Sequence, residues 1–349
     1  MHRGREVTFG RAMRLVAGVR RRVNTALTCA LALMLLRPAP ARSQAIRPGR
    51  VLTDSLWSYA LGTYKKVQVY LPPSYDGSSA RYPVAYYLHG WSGDETNWVM
   101  AGRINTSMDT LVAGGMREMI VVMPDGDDSW WTTSFALPDV PGCLRSLPNY
   151  AGDGSTYCVP WPHYDDYVNY DLVRHVDATY RTRADRAHRG IAGLSMGGFG
   201  AVLLALQYPE MFAAAASHSG VVWPLEWAPE GVLNRPVGTP DSTWTRIWND
   251  AVGRSVRAVF GRDTAAFYAK DPVRMLDRAR ARGAELPALK VDCGTGDPFL
   301  AGNRAFRDAL RARGVTLAYD EYPGVHDWAY WRAHARESLA WLATQIAAR

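Results

Sequence analysis

Lysine is scarce in this chain of 349 residues: four lysines stand against 36 arginines. No functional reading follows from that bias. Cysteine is scarce as well, with four in all, which excludes a small scaffold stapled by many disulfides. No CxxC or HExxH spacing occurs, so the spacing offers no zinc site. No apolar run reaches the roughly 20 residues that a membrane-spanning helix requires. A net positive charge is also missing from most of the chain. The formal net charge is +7, but residues 1–45 hold nine Arg and one Glu, or +8; subtracting this leaves −1 for the remainder. The basic balance belongs to the N-terminal segment, and no nucleic-acid partner is expected.

That segment has its own pattern. Seven arginines in residues 1–22 precede an apolar run, ALTCALALMLL (26–36), and then RPAPARSQA with small residues at Ala39, Ala41, Ser43 and Ala45. Basic, apolar and small-residue regions in that order are expected of a secretory signal peptide over residues 1–45, cleaved after Ala45 or else Ala41. Met13 offers a second start for it. Cys29 lies inside the apolar run, not after it, which argues against a lipoprotein anchor; an uncleaved anchor is the alternative. The expected product, 46–349, is a secreted or periplasmic single domain with no stable membrane span. In an oxidising compartment Cys143 and Cys158, at the ends of GCLRSLPNYAGDGSTYC, are expected to pair, leaving Cys293 as a buried thiol.

Along the rest of the chain, strand and helix patterns alternate. VLTDSLWSYALGTYKKVQVYLPPSY (51–75) reads as two strands around Gly62. YPVAYYLHG (82–90) and MIVVMPDG (119–126) are continuous apolar runs with loops after them, the mark of buried parallel strands. Helical spacing appears at 103–115, 166–180, 303–314 and 329–348, with shorter patterns near 244–260 and 272–282. RGIAGLS, FAAAASHSG (212–220), PALKVDCGTGD (287–297) and TLAYDEY (316–322) complete the strands. Residues 127–163, rich in Trp, Pro, Gly and Asp, read as a loop insertion. The expected class is α/β, a mostly parallel sheet with helices on both faces. In such sheets ligands bind beyond the carboxyl ends of the strands. The loops that matter therefore follow Leu88, Met123, Leu194, Ser217, Cys293 and Tyr322.

The chemistry concentrates in those loops. GLSMG (193–197) fits the G-x-S-x-G elbow, in which a serine sits on a sharp turn from strand to helix and two glycines make room for it. A serine hydroxyl needs a base. Of the seven histidines after residue 45, His326 in EYPGVHDWAYW follows the last strand; His218 is the runner-up. The base needs a carboxylate to hold its tautomer. DCGTGDPFL offers Asp297 on the loop and Asp292 within the strand, and Asp297 is preferred. A developing oxyanion needs backbone donors: the N–H of Met196 and that of Trp91, with Ser92 as the alternative to Trp91. Trp98, Trp130, Trp131, Trp328 and Trp331 are candidates to line the cleft, and buried packing is the competing reading for each. Asp125, Asp127 and Asp128 read as a solvated acidic loop in preference to a Ca²⁺ site, so no metal and no cofactor is expected.

These stretches together are similar to the putative-esterase (esterase D-like) family of α/β-hydrolases. That family includes feruloyl esterases, S-formylglutathione hydrolases, enterochelin esterase-like proteins and mycolyltransferases. The resemblance rests on YPVAYYLHGWSGDETNW, MIVVMPDG, YRTRADRAHRGIAGLSMGGFGAVLLALQYPEMFAAAASHSG, DCGTGDPFL and YPGVHDWAYW, about 82–331. It implies an α/β-hydrolase fold, a Ser195–His326–Asp297 triad, oxyanion donors at Met196 and Trp91, and hydrolysis of a small-molecule or carbohydrate-linked ester. The insertion at 137–163 departs from the family pattern. A leader peptide argues against the typically cytosolic S-formylglutathione hydrolases, and the SMGGFGA continuation argues against mycolyltransferases. Two further readings stay open: an acyltransferase on the same triad, and a catalytically silent surface-binding homologue.

Overall fold

Strands buried on both faces read as nearly continuous apolar runs. VAYYL (β3, Val84–Leu88), IVVMP (β4, Ile120–Pro124), RGIAGL (β5, Arg189–Leu194) and AAASH (β6, Ala214–His218) are buried at every position. The structure is a computed structural model and describes residues 48–137, 139–145, 158–222, 256, 258–261 and 264–346. The leader reading and most of the 244–260 pattern lie outside the described residues.

Eight strands form one sheet in the order β1-β2-β4-β3-β5-β6-β7-β8. β1 (Arg50–Ser58) and β2 (Thr63–Leu71) form an antiparallel hairpin at one edge, and β2 runs antiparallel to β4. From β4 onward every pairing is parallel, through β7 (Ala288–Gly294) to β8 (Leu317–Tyr322). The period of two in a strand splits the core into two layers. Val84, Tyr86, Leu88, Val122 and Ile191 face one side, packed with α3 (Met196–Gln207) and α2 (164–179). Ala85, Tyr87, Val121, Ala192 and Leu194 face the other, packed with α1 (Ile104–Ala113) and α6 (Trp328–Ile346). α4 (Pro272–Ala281) and α5 (Leu300–Ala312) complete the crossovers.

Asp271 caps α4, its side chain accepting the Val273 N–H at 2.8 Å, with Pro272 at the first helical position. α2 contains a π-helical stretch, Tyr167–Leu172, that its apolar spacing does not reveal. Among its described residues, the segment read as a loop insertion contains a short helix, Val140–Arg145. Cys143 and Cys158 lie 5.7 Å apart at Cα, within bonding reach of each other. Cys293 is a buried free thiol.

Candidate active site

The turn at Ser195 follows from the two glycines around it. A Cβ on Gly193 would lie 2.2 Å from the Gly197 carbonyl oxygen, and one on Gly197 would lie 2.4 Å from the carbonyl oxygens of both Leu88 and His89. The obstructing atoms are backbone and cannot move aside. Gly198 makes the same allowance for Ser217 at the end of β6. Gly200 instead accommodates Trp131, whose Cβ would lie 2.5 Å from an added methyl. Ser195 itself adopts φ 52°, ψ −116°, a strained region for a side-chain-bearing residue, and its N–H is held by the His218 carbonyl at 2.9 Å. Gly197→Ala is therefore expected to destabilise by about 3 kcal/mol, the upper end for overpacking. A urea midpoint close to the wild-type value would contradict this.

The chain then brings three side chains into line. His326, on the loop between β8 and α6, places Nε2 2.9 Å from Ser195 Oγ and Nδ1 2.8 Å from Asp297 Oδ2. Asp297 divides its two oxygens. Oδ2 meets the imidazole, and Oδ1 accepts the Phe299 N–H at 2.8 Å, so the same carboxylate also holds the turn at Pro298. The carboxylate accepts from Nδ1–H, which leaves Nε2 as acceptor for the serine hydroxyl. The rings of Phe299 and Trp331 pack edge-on against the imidazole at 4.8 and 4.9 Å. Phe299 does not stand out in the sequence, whereas Trp331 is among the tryptophans near the strand exits.

The runner-up residues pair with each other. His218 and Asp292 are directly opposite across β6 and β7. His218 Nδ1 approaches Asp292 Oδ2 to 2.8 Å, off the line of an Nδ1–H bond, and Nε2 lies 2.7 Å from Ser338 Oγ. This second Ser–His–Asp set is wholly buried. The Ser338 hydroxyl donates to the Ala335 carbonyl at 3.0 Å, which commits the proton that a nucleophile would have to give to its base.

The two oxyanion candidates lie on either side of Ser195. Met196 is the first residue of α3, where an N–H has no partner within the helix. Gly90 runs beside the serine: a Cβ there would lie 3.5 Å from Ser195 Cβ. The orientation of the Gly90–Trp91 peptide is set by His89. Its Nε2 accepts the Gly126 N–H at 2.9 Å, so Nδ1 carries the proton and donates it to Gly90 O at 2.8 Å. In a planar trans peptide the carbonyl and the following N–H point in opposite directions. The Trp91 N–H is thereby turned away from His89. Ser92 N–H, the alternative donor, is occupied by Asp128 Oδ1 at 2.6 Å.

Three of the five candidate cleft tryptophans are packing groups instead. Trp98 and Trp131 are buried, and their indole N–H groups bond the consecutive carbonyls of Leu88 and His89 at 3.0 and 3.2 Å. A buried indole needs such a partner, and these two hold the backbone that leads into Gly90. Trp130 packs edge-on against Phe199 and Phe260, and its backbone N–H meets Met196 Sδ. Trp328 is half-buried, edge-on to Trp98 and Trp331. Ser92, Asp127, Trp130 and Trp131 all have positive φ, so backbone strain is concentrated around this loop.

The solvated acidic loop is also corrected. Asp125 and Asp127 are buried, and Lys65 Nζ reaches them at 2.9 and 2.6 Å. Burial opposes charge on Lys65, but the two carboxylates outweigh it and keep the ammonium form. Two carboxylates share one cation here. Burial, and then the like charge of Asp125, push Asp127 up to about 7. An acid whose pKa is raised on folding keeps a proton that the unfolded chain has released, so its contribution falls as pH rises from about 4 to 7 and is constant above. Asp127→Asn removes that loss. Its stability advantage over wild type is expected to grow by about 1.4 kcal/mol per pH unit across the window. Urea unfolding of both proteins at pH 4.5, 6 and 8 checks this, and a pH-independent difference would contradict it.

Comparison with known proteins gives a consistent picture. The family described as "Putative esterase" matches residues 58–342. An esterase of Mycobacterium tuberculosis is 30% identical over 288 residues, 78% of this chain and 55% of the relative. An endo-1,4-beta-xylanase/feruloyl esterase of Xylanibacter ruminicola is 33% identical over 172 residues, 48% of this chain and 21% of that one. The chain thus spans about half the length, or less, of these relatives. Among solved structures, a ferulic acid esterase aligns with TM-score 0.62 and 27% identity, covering 86% of this chain and 99% of its own. An S-formylglutathione hydrolase from Staphylococcus aureus aligns with TM-score 0.63 and 24% identity, covering 85% and 100%, a likeness of fold.

Proposed function

The chain belongs to the putative-esterase family, with an α/β-hydrolase fold, and from that premise we propose that it is a serine hydrolase of carboxylic esters. Ser195 Oγ attacks the ester carbonyl while His326 Nε2 takes its proton. Asp297 holds the imidazole and stabilises the imidazolium that forms. The N–H groups of Met196 and Trp91 receive the oxyanion. His326 returns the proton to the departing alcohol, and water then releases the acid from the acyl-enzyme by the same route.

The observation that carries this reading is the run of two contacts, 2.9 and 2.8 Å, joining Ser195, His326 and Asp297. The three residues come from the exits of β5, β7 and β8, all at one edge of the sheet. The substrate class is a small-molecule or carbohydrate-linked ester, in keeping with relatives named feruloyl esterase and acetyl esterase. The leader pattern and the proximity of Cys143 to Cys158 support a secreted or periplasmic protein of one domain, 46–349, with that pair oxidised. A panel of p-nitrophenyl and feruloyl esters tests the reading: turnover with a burst of p-nitrophenol is expected, and no turnover of any ester would contradict it.

A further inference from the structure

We propose that Asp292 is a positioning residue for this hydrolysis, tying the segment that holds Ser195 to the helix that follows the His326 loop. The inference rests on the triad reading above. Asp292 lies on β7, buried, and meets two partners. Oδ2 faces His218 Nδ1 at 2.8 Å, and Oδ1 accepts the Tyr330 hydroxyl at 2.9 Å. Each partner leads to one member of the triad.

On one side, the carbonyl of His218 holds the Ser195 N–H at 2.9 Å, and the Asp292 carbonyl holds the next residue, Ser219, at 2.8 Å. On the other side, Tyr330 stands four residues after His326. Its ring fills the space at Gly324, where a Cβ would lie 2.6 Å from Cδ2. The Gly324 carbonyl in turn accepts the Gly296 N–H at 2.8 Å, joining the His326 loop to the Asp297 loop.

The network also fixes where α6 lies along the sheet. An apolar helix face on an apolar sheet has little to stop it sliding by a fraction of a turn. Here α6 is pinned twice, by Tyr330 to Asp292 and by Ser338 to His218 and Tyr87. The two points are eight residues apart, about 12 Å along the axis, and their partners, His218 and Asp292, are opposed across β6 and β7. Buried polar groups cost free energy unless paired in a defined geometry, and here the Tyr330 hydroxyl, the Ser338 hydroxyl and His218 Nε2 each have a partner. What that geometry defines is the distance from β5 to the start of α6, and so the distance from Ser195 to His326.

The test uses Tyr330→Phe, which keeps the ring against Gly324 and removes only the hydroxyl, together with Asp292→Asn and the double variant. Rates on p-nitrophenyl acetate are divided by the concentration of sites titrated with a fluorophosphonate, so that unfolded protein does not count. Each single variant is expected to lose at least tenfold in kcat with KM within twofold, and the double variant is expected to be no slower than Asp292→Asn. The ¹H NMR resonance of His326 Nδ1–H, identified by its loss in His326→Ala, reads the same geometry without turnover and is expected to move in Tyr330→Phe. Wild-type kcat per titrated site with an unmoved resonance overturns the positioning role. A wild type that turns over no ester, or a Ser195→Ala variant that still does, overturns the triad reading instead, and the resonance then decides the positioning role alone.

Discussion

Ser195→Ala is expected to lower kcat for ester hydrolysis on the order of 10⁶-fold while leaving the melting temperature near that of wild type. The serine hydroxyl contributes one contact, to His326, and the turn is built by Gly193 and Gly197 and by the backbone bond to His218, none of which alanine disturbs. His326→Ala should cost about as much, and the pair together no more than either alone, because nucleophile and base act as one unit. Additive losses would mean that the two act in separate steps. The residual rate in all three variants measures what the oxyanion donors and substrate binding supply by themselves.

Asp297→Asn is expected to lower kcat about 10⁴-fold without disturbing the fold. The reason lies in how Asp297 divides its oxygens. The Phe299 N–H requires an acceptor, so an asparagine here keeps its carbonyl oxygen toward Phe299 and turns its amide NH₂ toward His326. The imidazole then presents a lone pair at Nδ1 and carries its proton on Nε2, facing Ser195 Oγ, where the serine needs an acceptor. The measurement is kcat against pH for both proteins. A loss of less than tenfold would mean that the carboxylate does not set the tautomer.

The strands were legible because parallel strands buried on both faces leave a continuous apolar run, as β3 and β4 do. The elbow was legible because its geometry admits only glycine at 193 and 197. Asp297 and His326 could be singled out because the ends of parallel strands share one edge. The signal for Lys65 lies in TYKKVQV: Lys65 is in phase with the buried Val67 and Val69, whereas Tyr64 and Lys66 point to solvent. A lysine on a core face requires a buried carboxylate, and Asp125 and Asp127 meet that need. Trp98 and Trp131 illustrate a different limit. The sequence places a tryptophan near a strand exit, but whether its N–H faces a substrate or a carbonyl depends on backbone that only the folded chain brings there. The pairing of His218 with Asp292 likewise depends on β6 and β7 being neighbours, which strand order alone decides.

The most direct measurement is the intact mass of the protein after reaction with a fluorophosphonate, followed by peptide mapping. One adduct per chain is expected, on Ser195, and none on the buried Ser338. The adduct should be lost in Ser195→Ala and should form far more slowly in His326→Ala. An unlabelled wild type, or an adduct on any other residue, would contradict the assignment of Ser195 as an activated nucleophile.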